Sequence, residues 1–148
     1  MEIIGRSDRV DLPELGLLDI HAKVDTGAYT SSLHCSEAAV VNGKLEFVLL
    51  DDEHPEFTGM KFHVEEFTQR EIKNSFGVSE LRYIIFTDVI IFGEVIHAEF
   101  SLSDRDNLKF PVLLGRTILR KRFQVDVSRT NLSFKRKKKK NNPEKPNQ

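Results

Sequence analysis

The sequence predicts an all-β fold, a closed barrel or a sandwich, with one late helix. Three observations carry that expectation. Leu17–Val24 (LLDIHAKV) alternates apolar residues with Asp19, His21 and Lys23, the period-two pattern of a half-buried strand. Two pairs of apolar runs are separated by dipeptides suited to two-residue turns, Asn42-Gly43 and Phe92-Gly93. Short strands joined by turns, with only one late helical segment, fit closed or sandwiched β architectures.

Taken along the chain, the elements follow from local chemistry. Val40–Val48 (VVNGKLEFV) is a hairpin, because Asn-Gly supplies the positive φ angles of a type I′ turn. Tyr83–Ile91 (YIIFTDVII) and Glu94–Leu102 (EVIHAEFSL) form a second hairpin around Phe92-Gly93. Phe110–Leu114 (FPVLL) is a short, fully buried strand that ends on Gly115. Arg116–Phe123 (RTILRKRF) reads as helical, since Ile118, Leu119 and Phe123 fall on one face. The chain carries no internal repeat.

Composition bounds the class. A chain of 148 residues suits one domain, and one of this size buries roughly 70% of its unfolded surface. The single cysteine, Cys35, excludes an internal disulfide framework and suits a reducing compartment. The acidic, glycine-broken N-terminus lacks a signal-peptide pattern, and no apolar run approaches the roughly 18–20 residues of a membrane span. A cytoplasmic location is expected.

The net charge of -1 hides an asymmetry. Residues 135–148 hold seven basic side chains and one acidic one, which leaves 15 basic and 22 acidic residues in 1–134. The expected organisation is therefore one domain over 1–134 and a basic, disordered tail over 135–148. Such a tail could contact nucleic acid, a ribosome or an anionic membrane, or act only as a solvated segment.

Asp25 is the residue with the clearest chemical posture. It leaves the predicted strand after Ala22-Lys23-Val24 and meets Thr26, whose hydroxyl can brace the turn or a neighbouring chain. Gly27 then lets backbone amides approach the carboxylate. The tripeptide alone is weak evidence, arising by chance in on the order of a few percent of chains this long; its pairing with the downstream Leu113-Leu114-Gly115-Arg116 and helix is more specific.

Together these stretches resemble the motif pair of retropepsin-like aspartic proteases. The likeness tightens to one bacterial family of that fold, named as ATP-dependent zinc proteases and found with ATP-grasp ligases that add glutamates to a ribosomal protein. It rests on Leu12–Gly16, Ala22–Ala28, Thr30–His34, Asp104-Arg105-Asp106, Leu113–Arg122 and Phe123. Tyr29 departs from the family pattern, which has an arginine there. Its presence removes a cation beside the expected cleft and weakens the case for acidic substrates.

The resemblance implies a closed acid-protease β-barrel with one short C-terminal helix, and hydrolysis of a peptide or protein by two aspartates sharing one proton. The chain has one Asp-Thr-Gly; Asp126-Val127-Ser128 lacks the glycine. The second carboxylate is therefore expected from Asp25 of another copy in a homodimer. Thr26, Gly27, Leu114, Gly115 and Arg116 would support the aspartate loop. Arg70–Arg82 would form a flap with Ser75, Phe76 and Gly77 at its tip, or an ordinary exposed loop. Arg105 would hold the loops or bind a substrate carboxylate, or sit in a charged turn. The family context adds a functional link to an ATP-grasp ligase and, as one substrate, a ligase-added acidic tail.

No metal site and no cofactor are expected. His-Glu-x-x-His is absent, the nearest inverted form at His63–Phe67 ends on Phe, and His21, His34, Cys35, His54 and His97 are scattered. Neither a Gly-x-x-x-x-Gly-Lys loop nor Gly-x-Ser-x-Gly occurs, and Cys35 reads as a small buried hydrophobe. The alternatives are a non-catalytic module that grips an extended peptide as an added strand, and the zinc-dependent protease that the family name suggests.

Overall fold

The computed structural model describes residues 1–73, 76–104 and 110–141. The chain runs β1 (Glu2–Ile4), β2 (Ser7–Leu12), a 3-10 turn (Pro13–Leu15), β3 (Leu17–Val24), β4 (Ser31–Val41), β5 (Lys44–Leu49), β6 (Lys61–Val64), β7 (Thr68–Lys73) and β8 (Ser79–Ile91). It continues through β9 (Glu94–Ser103), β10 (Val112–Leu114), α1 (Arg116–Leu119), β11 (Phe123–Val125) and α2 (Leu132–Asn141).

Six strands close on themselves in the order β10, β3, β2, β8, β9, β4, because β10 pairs parallel with β3 and antiparallel with β4. This is the all-β closed barrel that the sequence predicts. Closure removes the open edges of those strands. The barrel interior is filled by residues that alternate inward, among them Leu12, Ile20, Ala22, Leu33, Phe100 and Val112. β5 and β6 extend the sheet beyond β4, and β7 folds back on β8 as a two-stranded arm. Both predicted two-residue turns form: Asn42 and Gly43 have φ of 52° and 78°, Phe92 and Gly93 of 52° and 74°.

Two expectations need correction. The helical segment stops at Leu119 rather than Phe123, since Arg120 is extended and Lys121 has a φ of 65°. Phe123 instead buries as a strand residue opposite Glu2 in the parallel β1–β11 pair, with its ring 5.9 Å from that of Phe92.

The other correction concerns the basic tail. Helix α2 begins before Lys135 and runs through Asn141, so disorder does not start at 135; residues 142–148 lie outside the described residues. The helix holds because the acidic body provides its partners. The fully buried Asp8 accepts the Ser133 and Phe134 amides at 2.9 and 3.1 Å, capping the positive end of the helix from a strand 125 residues away. Lys137 donates to Asp11 at 2.8 Å and Asp19 at 2.7 Å, and these two carboxylates raise its pKa. Arg136 pairs with Glu2 and stacks 4.7 Å from the Phe92 centroid.

Truncating the capping carboxylate leaves those amides unpaired in a buried place. Asp8→Ala is expected to destabilise the protein by about 2–3 kcal/mol. Urea unfolding measures this, and a change below about 0.5 kcal/mol would contradict the capping role.

Candidate active site

The parallel pairing of β10 with β3 decides where Asp25 goes. The register Ala22 to Val112, Lys23 to Leu113 and Val24 to Leu114 brings the ends of both strands together, so Asp25 emerges beside Gly115. The Asp25 amide donates to the Leu114 carbonyl at 2.9 Å, continuing the ladder by one bond. The chain then turns, with the Ala28 amide donating to the Asp25 carbonyl at 3.2 Å and the Gly27 amide to Asp25 Oδ1 at 3.1 Å. The carboxylate is half-buried and faces a cleft of about 900 Å³.

The turn is stitched to the strand–helix junction at several points. The Arg116 and Thr117 amides donate to the carbonyls of Ala28 at 2.8 Å and Tyr29 at 3.0 Å. Arg116 Nη1 donates to the Thr26 carbonyl at 2.9 Å, and its guanidinium lies 5.7 Å from the Tyr29 ring centroid. The Gly115 amide donates to Ser31 Oγ at 2.9 Å in a buried contact.

Gly115 is dictated by space. A Cβ there would lie 2.8 Å from the Thr30 carbonyl carbon, 2.9 Å from its oxygen and 3.0 Å from the Ala28 oxygen. At Gly27 the closest approach would be 3.4 Å, to Asp25 Oδ1, an ordinary contact.

The structure brings Asp25, Thr26, Gly27, Leu114, Gly115 and Arg116 into one assembly. The arm made by β7 and β8 stands over it: Arg70, Glu71, Ile72, Lys73 and Arg82 line the cleft. Phe76 and Gly77 lie at the arm's tip, Phe76 87% exposed and Gly77 at a φ of 79°. Ser75 and Arg105 lie outside the described residues.

Sequence reasoning gave no role to Ser31, to Lys73 or to the Arg70–Glu99 pair. Arg70 forms a two-bond fork with Glu99 at 2.9 and 2.9 Å, which raises its pKa. Their strand spacing gave no signal, because Arg70 and Glu99 meet only once β7, β8 and β9 are aligned. A signal for Ser31 did exist in the polar Thr30-Ser31-Ser32 at the start of β4, whose first five residues are buried.

Cys35 is 2% exposed, and burial, reinforced by Asp104, pushes its thiol up to about 12. That suits packing and not nucleophilic attack. Two clusters of metal-capable side chains exist among the described residues, His34–Asp51–His54 and Glu14–Asp88–His97. Neither lines the Asp25 cleft.

A family model described as "RimB-like: Retropepsin-like aspartic endopeptidase RimB" matches residues 3–136. The chain is 35% identical over 129 residues to a Desulfotalea psychrophila protein named "Probable alpha-L-glutamate ligase", covering 84% of this chain and 28% of that protein. A Shewanella pealeana protein of the same name is 32% identical over 130 residues, with 85% and 28% covered. The chain thus spans 28% of the length of these curated relatives. A crystal structure of a Legionella pneumophila protein of unknown function superposes with a TM-score of 0.66 at 22% identity, over 89% of this chain and 98% of that one. It supports the fold alone. Among the described residues, no helix is long and apolar enough to cross a membrane.

Proposed function

Since the chain belongs to the RimB-like family of retropepsin-like aspartic endopeptidases, we propose that it is a peptidase whose reaction centre is completed by a second copy of itself. The observation that carries this reading is the placement of Asp25. Its backbone amide is tied to the Leu114 carbonyl and its carboxylate accepts the Gly27 amide, at the edge of a cleft that the β7–β8 arm overhangs.

The chemistry needs two carboxylates and one proton between them. One Asp25 takes a proton from water as the water oxygen attacks the scissile carbonyl carbon. The other Asp25 gives its proton to the carbonyl oxygen, and collapse of the resulting diol passes a proton to the leaving nitrogen. Within one chain the other acids of the cleft have different tasks: Glu99 is forked by Arg70, and Glu71 belongs to the overhanging arm. Thr26 is exposed, which leaves its hydroxyl available to a neighbouring copy. A two-fold axis close to the Asp25 loop would bring both acids together.

The cleft also favours a substrate charge. Arg70, Lys73, Arg82 and Arg116 line it against Asp25, Glu71 and Glu99. Tyr29 holds Arg116 against its ring, so a cation remains beside the position where the family pattern has arginine. An acidic peptide fits this lining. The relatives named as glutamate ligases carry the matched segment within a longer chain, which supports a ligase-made glutamate tail as the substrate. Arg136 and Lys137 are engaged with the body of the protein, so a contact with nucleic acid or a ribosome would fall to the exposed lysines of α2 and to the residues beyond it.

The test is a digest of a peptide library that includes oligoglutamate sequences. We expect cleavage of acidic peptides, stopped by a transition-state inhibitor of aspartic peptidases, unaffected by a chelator below the melting transition, and with a KM that rises with salt. Cleavage abolished by the chelator while the protein stays folded would favour zinc-dependent proteolysis. Saturable peptide binding without cleavage would favour a binding module.

A further inference from the structure

The second cluster of chemical groups lies in the wall of the sheet, away from Asp25. His34 sits on β4, and its carbonyl accepts the Leu50 amide at 2.9 Å where the chain leaves β5. Leu50 has a φ of 65°, so the backbone turns back there and Asp51 lands against the His34 ring. The loop then winds tightly: the His54 amide donates to the Asp51 carbonyl at 3.1 Å, and Asp51 Oδ1 accepts the Glu53 amide at 2.9 Å. This places the His54 ring 5.6 Å from that of His34, tilted by 52°.

From this arrangement we propose that His34, Asp51 and His54 form a binding site for one divalent cation of the zinc class, stapling the β5–β6 loop to β4. One potential ligand atom from each lies within 4.8 Å of the others. His34 Nε2 and Asp51 Oδ2 are already 2.9 Å apart. Two ligands at about 2.0–2.1 Å on a tetrahedral ion stand roughly 3.3 Å from each other, so the pair needs to open by only a few tenths of an ångström. Two imidazoles and a carboxylate are a donor set that zinc accepts with its remaining position open.

The His34 side chain is 3% exposed, so its Nε2 faces Asp51 Oδ2 where bulk water does not compete for either atom. The Glu14–Asp88–His97 cluster has no buried member. Glu14 already accepts the Asp88 amide at 2.8 Å, His97 Nδ1 contacts Asp88 at 2.9 Å, and the His97 side chain is 66% exposed.

The site is independent of the proposed peptidase reaction, and its test does not read activity. The full chain, stripped with a chelator and dialysed, is titrated with Zn²⁺ by calorimetry and by competition with a chromophoric chelator. One ion per chain is expected, with a rise in melting temperature. His54→Ala and Asp51→Asn should each weaken binding at least about tenfold and remove most of the thermal shift. Both replacements fall on a surface loop and spare the buried His34, and circular dichroism checks that the variants fold. His97→Ala should bind as the wild type does. The proposal is overturned by the absence of saturable binding at micromolar zinc. It is equally overturned by binding that survives both loop replacements, or by binding lost in His97→Ala.

Discussion

Asp25→Asn is expected to reduce peptide hydrolysis by about 10³-fold or more while the protein stays folded and associated. The replacement is isosteric. An amide oxygen at that position can still accept the Gly27 amide that now reaches Asp25 Oδ1 at 3.1 Å, and the backbone bond to Leu114 is untouched. The loop therefore keeps its shape. In the proposed reaction, what disappears is the group that takes a proton from water on one side of the pair and gives one on the other. Circular dichroism and sedimentation should match the wild type, and turnover should fall to the background rate. Retention of more than about a tenth of the activity would remove Asp25 from the mechanism.

Gly115→Ala should produce the largest loss that combines stability with function. The added methyl would lie within 3.0 Å of three backbone atoms of Ala28 and Thr30, none of which can rotate away. Relief requires the Asp25–Thr30 turn to separate from β10. That strains the Gly115–Ser31, Arg116–Ala28 and Asp25–Leu114 bonds together. A destabilisation of about 2–4 kcal/mol is expected in urea. In the fraction that folds, a displacement of about an ångström at the carboxylate should lower kcat on the order of 10²-fold. Gly27→Ala is the control. Its Cβ would meet only Asp25 Oδ1 at 3.4 Å, so its stability should stay within about 1 kcal/mol of the wild type. If Gly115→Ala were as stable as Gly27→Ala, the close approach would not be a structural requirement.

The parts of this fold that sequence made legible are those determined within a few residues. The Asn42-Gly43 and Phe92-Gly93 turns, the alternation of Leu17–Val24 and the apolar β10 each carry their own signal. The Asp25 loop was legible because two short motifs, far apart in the chain, match a known pairing. What stayed hidden depends on partners that the sequence separates widely. A run of lysines reads as solvated until Asp8, Asp11 and Asp19, at least 118 residues earlier, are found beneath it. Arg70 and Glu99 meet across three strands, and His34 meets His54 only through the turn at Leu50. The helical face of Ile118, Leu119 and Phe123 misled because Phe123 gains more by pairing with β1 than by extending one helical turn.

In the proposed peptidase each reaction centre takes one Asp25 from each of two chains, and subunit mixing reads this out. Wild-type protein at fixed concentration is equilibrated with a ninefold excess of Asp25→Asn protein, and hydrolysis is followed per wild-type chain. If the two acids come from different copies, most wild-type chains become paired with an inactive partner, and the rate falls to about one-tenth. A rate unchanged by the excess of the mutant, after exchange of subunits has been verified, would place the whole reaction centre within one chain and rule out a shared pair of aspartates.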